Sequence, residues 1–196
     1  SDTGAYLPGV TIQVKNITTG AVYTQKTGAA GVAIFDVEPG AYEVREVAGI
    51  AGWQADTETV QTVNVVTGDT STVTFTNKEL PGLRIVKYDR GNYEVMAGVT
   101  FEIWRDGVSL GKYKTDAMGE ILLPDCKPGT YRAVEVDTGS DGHILDTTPQ
   151  EVELKAGDGI KELVFFNDRL PGVHIIKVDS SDLSKPIANA RFRFEA

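Results

Sequence analysis

An internal repeat is the strongest constraint on what this chain can fold into. The segment NKELPGLRIVKYD, which begins at Asn77, is matched by NDRLPGVHIIKVD, which begins at Asn167, so the period is 90 residues (167 − 77). Two further pairs of matching segments, LPGVTIQV with MAGVTFEI and EPGAYEVREV with KPGTYRAVEV, keep the same spacing to within two residues. A unit of this size can bury a core of its own. The repeat therefore predicts small domains in tandem.

The phase of the repeat divides the 196 residues into three parts. Residues 81–170 are predicted to form a complete unit. Residues 1–80 match an earlier copy without its first strand, and residues 171–196 match the opening strands of a third copy. A short Leu-Pro-Gly linker precedes the second and the third unit. Because a short linker that contains proline is stiff, the sequence favours an extended rod of repeats.

Each unit is predicted to contain strands only. In the complete unit seven segments alternate or run apolar for four to eight residues, namely LRIVKY, VTFEIWRD, SLGKYKT, EILLP, TYRAVEV, EVELK and ELVFFN. Glycine and proline turns separate them, and no helix-length amphipathic stretch occurs. This pattern is typical of an all-β chain of tandem antiparallel sandwiches with an immunoglobulin-like or prealbumin-like outline.

Composition excludes several functional classes. The net charge of −9, without any basic run, argues against nucleic-acid binding. No window is apolar for the roughly 18 residues of a membrane span, so we expect no membrane insertion. The only cysteine, Cys126, cannot form a disulfide within the chain and is predicted to stay a free thiol. His143 and His174 have no partner at metal-ligand spacing, so we expect no metal, no cofactor and no enzymatic activity.

Three polar residues recur at equivalent positions on strands that are otherwise apolar. In the complete unit these residues are Lys87, Glu135 and Asn167. The first unit has the equivalents Glu46 and Asn77, and the third has Lys177. A single lysine of this kind would be interpreted as reaching past a strand edge to water, and a single asparagine as capping a turn. A three-residue pattern that repeats with the period of the domains indicates that the three residues act together in one chemical function.

The units resemble the Cna-B or SpaA-type domains of Gram-positive surface adhesins and pilins. The resemblance lies in the opening IVKYD and AGVTFEI, the middle DAMGEILLPDCKPGTYRAVEV and the closing VFFNDRLPG. It implies an extracellular location at the bacterial cell wall. It also implies an isopeptide bond between the side chains of Lys87 and Asn167, with Glu135 as the proton shuttle and Glu46 as its equivalent in the first unit.

Such a bond needs these residue types. Burial disfavours the charged forms of lysine and glutamate, which lowers one pKa and raises the other. A neutral Lys87 would then attack the carboxamide carbon of Asn167, while a protonated Glu135 polarises the amide oxygen, relays protons and helps to expel ammonia. Fixed positions replace an external enzyme, and the reaction occurs once per domain.

The incomplete units leave two interpretations open. In the first, the boundaries of the chain are simply out of phase with the repeat, which leaves Asn77 without a lysine and Lys177 without a glutamate and an asparagine. In the second, copies exchange strands: residues 171–196 of one molecule add to residues 1–80 of another, and Lys177 bonds to Asn77.

The expected function is that of structural stalk or spacer repeats, with adjacent repeats as partners and with host matrix or glycan bound through other domains. One alternative is an adhesive module that binds a host protein or glycan directly. Another is a sortase-assembled pilin, although the chain contains no LPxTG-like sorting signal. Uniform repeat surfaces would favour a stalk, whereas an exposed aromatic patch in one unit would favour binding.

Overall fold

Alternating apolar residues and glycine turns produce strands throughout the molecule. A computed structural model of the chain describes residues 4–55, 60–140 and 142–193. The described residues contain β-strands and no α-helix, as predicted from the period-2 pattern. Within them no helix is long and apolar enough to cross a membrane. The outermost residues of the predicted first and third units lie outside the described part.

The first unit contains one four-stranded sheet. The strands of this unit are β1 (Thr11–Asn16), β2 (Val22–Lys26), β3 (Gly40–Ala48), β4 (Trp53–Ala55), β5 (Val60–Val65) and β6 (Asn77–Glu79). The sheet has the antiparallel order β2-β1-β3-β5, and β4 pairs separately with β6. Its inner face carries a small apolar core around Tyr42 and Val14.

The complete unit contains all seven predicted strands. They are β7 (Gly82–Asp89), β8 (Thr100–Arg105), β9 (Val108–Lys114), β10 (Glu120–Leu123), β11 (Gly129–Asp137), β12 (Gln150–Leu154) and β13 (Ile160–Asn167). They form two sheets, ordered β12-β11-β8-β9 and β10-β7-β13. Apolar side chains from both sheets, among them Ile85, Phe101 and Phe165, form one buried core that also contains the free thiol of Cys126.

One strand pair differs from the antiparallel sandwich that the sequence predicts. The first strand, β7, and the last, β13, are parallel neighbours over their whole length, from the Ile160–Gly82 pair to the Asn167–Asp89 pair. Parallel neighbours need a long connection between them, which the five intervening strands provide. The two ends of the unit therefore lie side by side in one sheet.

The first unit lacks the second sheet in its described residues. Residues 32–35 and 70–76 correspond to β10 and to most of β13, but neither segment belongs to a sheet. Their side chains nevertheless alternate between partly buried and exposed positions, as in a strand. In the complete unit β7 lies between these two strands and pairs with both. Without an equivalent of β7 between them, the two segments have no neighbouring strand with which to form backbone hydrogen bonds.

The third unit forms a hairpin of β14 (Val178–Asp179) and β15 (Asp182–Pro186). The sequence predicts an opening strand over VHIIKVD, but only its last two residues are in a strand, and Val173 and Ile176 are 80% and 65% exposed. The corresponding residues of β7, Leu83 and Val86, are buried between two neighbouring strands. The described part of the third unit provides no such neighbours.

Candidate functional site

The complete unit brings Lys87, Glu135 and Asn167 together in its interior. Lys87 lies on β7 and Asn167 ends β13, in the same sheet, while Glu135 lies on β11 in the other sheet. All three side chains are buried, with exposed fractions of 0% for Lys87 and Glu135 and 1% for Asn167. The structure therefore unites the three residues that the repeat pattern singles out in this unit.

The strand period explains why these side chains point inward. On β7, Leu83, Ile85 and Lys87 are two residues apart and fully buried, so Lys87 continues the apolar row of the core. The parallel register pairs Lys87 with Phe165 on β13. Asn167 lies two residues beyond Phe165 and projects from the same face, which places its carboxamide beside the end of the lysine side chain.

The three side chains form a closed triangle of polar contacts. The Nζ of Lys87 donates a hydrogen bond to the Oδ1 of Asn167 at 2.6 Å. The Nδ2 of Asn167 donates to the Oε1 of Glu135 at 2.5 Å. The other carboxylate oxygen, Oε2, lies 2.8 Å from the Nζ of Lys87 in an ion-pair contact. One carboxylate thus bridges the amine and the amide nitrogen.

Apolar surroundings change the protonation balance of the lysine. Burial lowers the pKa of Lys87, since an ammonium is poorly solvated there, and this effect exceeds the opposing hydrogen bond and charge of Glu135. The neighbours of these groups across the strands are aromatic: Phe165 pairs with Lys87, Phe101 pairs with Glu135, and the centroids of the two rings are 4.8 Å apart. Burial therefore makes the neutral, nucleophilic form of the amine easier to reach than it is in water.

The amide orientation differs from the sequence-based mechanism in one respect. That mechanism has Glu135 polarise the oxygen of Asn167, but Glu135 contacts the nitrogen and Lys87 contacts the oxygen. The reason is that a carboxylate can only accept hydrogen bonds and an ammonium can only donate them. The amide of Asn167 therefore turns its nitrogen to Glu135 and its oxygen to Lys87. Glu135 is therefore positioned at the leaving nitrogen.

The first unit contains two members of the same triangle. Asn77 is 3% exposed, and its Nδ2 donates to the Oε1 of Glu46 at 3.0 Å. The Oε2 of Glu46 is buried without a hydrogen-bond partner among the described residues. The equivalent oxygen of Glu135 also lacks a hydrogen bond among the described residues, but it lies in ion-pair contact with Lys87. Lys177 is exposed in the third unit, where its Nζ donates to the Val178 carbonyl, and it is not brought to Asn77.

A second polar cluster, missed by the sequence analysis, lies next to the first. Asp89 is 3% exposed, and its Oδ2 accepts a hydrogen bond from the Nε of Arg169 and lies 3.0 Å from the Nε2 of His143. Ser140 contacts the Nδ1 of the same histidine at 2.8 Å. His143 thus has partners that sequence spacing does not indicate. The described residues contain no cluster that could hold a metal ion.

An aromatic cluster lies on the outer face of the sheet that carries the lysine. The rings of Tyr88 and Phe166 stack at 5.8 Å, and Tyr93 meets Phe166 edge-on at 6.0 Å. The guanidinium of Arg90 lies over the Phe166 ring. Thr76 occupies the position of Phe166 in the first unit, so the cluster is not a shared feature of the repeats.

Comparison with known families assigns both repeats to one fold. The model of the SpaA prealbumin-like fold domain matches residues 1–79 and again residues 81–169. This match supports the resemblance and the all-β prealbumin-like fold that the sequence analysis predicts. No curated protein sequence matches the chain.

The chain is similar to several solved structures, among them those of three bacterial proteins. The Bacillus anthracis TIE protein is 24% identical, with a TM-score of 0.46 over 85% of this chain and 32% of its own. The Streptococcal ancillary pilin is 19% identical, with a TM-score of 0.43 over 85% of this chain and 59% of its own. The shaft pilin spaA from Lactobacillus rhamnosus GG is 16% identical, with a TM-score of 0.49 over 88% and 92%. The chain therefore spans about a third of the first protein and three fifths of the second.

Proposed function

The chain belongs to the family of SpaA prealbumin-like fold domains, and from this premise we propose that it forms spacer repeats of a bacterial cell-surface protein, locked by an isopeptide bond between Lys87 and Asn167. The observation that carries the proposal is the buried triangle, in which the Nζ of Lys87 lies 2.6 Å from the Oδ1 of Asn167. The chain acts as a structural element, because its reactive residues are consumed when the bond forms.

The reaction follows from the positions of the atoms. The neutral Nζ of Lys87 attacks the Cγ of Asn167, the new C–N bond forms, and the bond from Cγ to Nδ2 breaks. The attacking nitrogen gives up a proton to the Oε2 of Glu135, 2.8 Å away. The Oε1 of Glu135 lies at Nδ2, so the same carboxyl group returns a proton to the nitrogen that leaves as ammonia.

Close packing holds the reacting side chains in contact. The reactants are held in hydrogen-bond contact by two parallel strands, and such positioning corresponds to a high effective concentration. Water does not reach the buried side chains, which are at most 1% exposed, so hydrolysis does not compete. The product ties the first strand of the unit to the last and braces an extracellular domain that has no disulfide.

The direct test is the accurate mass of the intact chain, followed by peptide mapping. We expect a deficit of one ammonia, located in a branched peptide that contains Lys87 and Asn167. Lys87→Ala and Asn167→Ala are expected to restore the full mass, whereas Lys112→Ala, at an exposed position on β9, leaves the deficit in place. A wild-type mass equal to that of the sequence would rule out the crosslink.

The pair of Glu46 and Asn77 in the first unit fits the same crosslinking reaction. We infer that Glu46 and Asn77 accept a lysine on a strand equivalent to β7, because the Oε2 of Glu46 is buried and has no hydrogen-bond partner in the part of the chain that the structure describes. The source of that strand is a neighbouring repeat or residues 171–196 of a second copy. Covalent oligomers of the isolated chain on a denaturing gel, abolished by Lys177→Ala, would identify strand exchange between copies.

Direct adhesion is a second candidate function, and the aromatic cluster favours it. Tyr93 is 70% exposed beside Phe166, and exposed aromatic rings stack on the apolar faces of sugars. Binding to an immobilised glycan array, lost in Tyr93→Ala and kept in Tyr6→Ala, would support a host-binding role. Tyr6 is a matched control because it is also exposed, at 76%, but lies in the first unit.

A further inference from the structure

The polar cluster around Asp89 has the same construction as the buried triangle. Each of the three segments that carry the triangle continues outward to a second polar residue. Asp89 follows Lys87 by two residues on β7, and Arg169 follows Asn167 by two residues beyond β13. His143 lies on the segment that follows β11, the strand of Glu135.

The cluster binds the ends of these segments together. Asp89 is the register partner of Asn167 across the parallel pair. Its Oδ2 accepts a hydrogen bond from Arg169 and contacts the Nε2 of His143, while its Oδ1 accepts from the Gly91 backbone nitrogen at 2.7 Å. One carboxylate thus connects the segments that follow all three reactive residues.

Backbone contacts add to the same junction. His143 and Arg169 form an isolated antiparallel bridge. The backbone nitrogen of Ile144 donates to the Asp168 carbonyl, and that of Leu170 donates to the Gly142 carbonyl. Because the ionised carboxylate of Asp89 can only accept, Nε2 of His143 donates to it, and Nδ1 of the same ring contacts the hydroxyl of Ser140. The histidine is therefore held in one orientation.

The position of Asn167 makes this junction relevant to the chemistry. Asn167 is the last residue of β13, and the chain beyond a strand end is free to fray unless something holds it. Displacing a reacting group by about 1 Å can reduce a rate by about a hundredfold. The contacts of Arg169 and His143 with Asp89 restrain the chain directly after Asn167.

We propose that Asp89, His143 and Arg169 act as a positioning clamp that holds the carboxamide of Asn167 against Lys87 while the crosslink forms. The inference rests on the proposed crosslinking function. None of the three residues touches the reacting atoms, so their role is to position those that do. In the first unit Trp53 and Glu79 occupy the positions of His143 and Arg169 and pair with each other, so this clamp is specific to the complete unit.

The test is the rate of ammonia loss after refolding. Chains recovered unfolded from inclusion bodies are diluted from denaturant into conditions under which circular dichroism shows that they fold completely. Samples are quenched in acid at intervals, and the mass of the chain in each sample is measured by mass spectrometry. The rate per folded molecule is expected to fall by about ten- to a hundredfold in Asp89→Asn and Arg169→Gln. Arg169→Lys, which keeps the charge, is expected to recover part of the rate. Asp168→Asn, at an exposed neighbouring carboxylate, serves as the control and keeps the wild-type rate.

The outcomes separate the clamp from the crosslink itself. If wild type loses ammonia and both clamp variants react within about twofold of it while folded, the clamp proposal is overturned and the crosslink stands. If wild type never loses ammonia, the proposed function fails first. Arg169→Gln keeps the test decisive should Asp89→Asn not fold, because the Arg169 side chain is 58% exposed.

Discussion

The Nζ of Lys87 lies 2.6 Å from the Oδ1 of Asn167 although 80 residues of chain separate them. The contact joins the first strand of the complete unit to the last, which run parallel as neighbours in one sheet. A covalent bond at this point would enclose nearly the whole unit in one loop. The chemistry, stability and mechanics of the unit can therefore be tested by changing a few buried side chains.

Glu135→Gln is expected to stop or greatly slow crosslinking while the fold remains. The glutamine has nearly the same shape, but its amide cannot take the proton from Lys87 or return one to the leaving nitrogen. General acid–base groups contribute about a hundredfold or more to a rate. Intact mass after refolding measures the effect, with Glu151→Gln, on the exposed face of β12, as the matched control. Crosslinking at the wild-type rate in Glu135→Gln would show that no shuttle is needed.

Features that repeat or alternate along the chain were predictable from the sequence. The strands of the complete unit follow from period-2 patterns, and the triangle of Lys87, Glu135 and Asn167 follows from recurrence of these residue types at the domain period. Burial of a lysine within an apolar row is itself a signal, because an unpaired charge there is costly. The alternation of apolar residues therefore predicts the fold class, and the repetition of polar residue types at the domain period predicts the three residues of the candidate site.

The remaining features depend on which segments meet in space. The parallel pairing of β7 with β13 has no local signature, since the same strand pattern fits either direction. The contact of His143 with Asp89 spans 54 residues and does not recur, because the first unit has Trp53 at the equivalent position. The exposed segment before β14 has the pattern of a core strand, but a strand becomes buried only when a sheet provides neighbours.

Removing the crosslink is expected to lower the free energy of unfolding by about 4 to 5 kcal/mol, the loop-closure value for 80 residues. Lys87→Ala loses more than this, because it also leaves the carboxyl group of Glu135 buried without its polar partner on Lys87. The loop term is lost only once, so the double variant Lys87→Ala, Asn167→Ala should be less destabilised than the two single variants added together. Denaturant unfolding of all four proteins gives the coupling energy, and additive effects would contradict a shared bond.

Acid is expected to weaken the junction at Asp89. The hydrogen bond with His143 and that from Arg169 hold the pKa of Asp89 well below the ordinary aspartate value of 3.8. A depressed folded pKa means that the ionised carboxylate stabilises the fold above the unfolded pKa and that this contribution is lost as the pH falls through the folded value. The stability difference between wild type and Asp89→Asn should therefore shrink as the pH falls below 3.8. Thermal unfolding over this range measures it, and a difference that persists unchanged in strong acid would contradict the assignment.

Mechanical pulling is expected to distinguish the crosslinked unit from an unlinked one. Force applied through the flanking chain enters β7 and leaves β13, so an intact bond between Lys87 and Asn167 carries the tension and shields the 79 residues between them (167 − 87 − 1). Those residues would extend by roughly 260 to 290 Å if the unit unfolded, at about 3.3 to 3.6 Å per residue. We expect a step of that length in Asn167→Ala and no such step in wild type, with both chains pulled between the same marker domains. The Glu151→Gln chain should behave as wild type. A full-length unfolding step in wild type would show that β7 and β13 are not covalently joined.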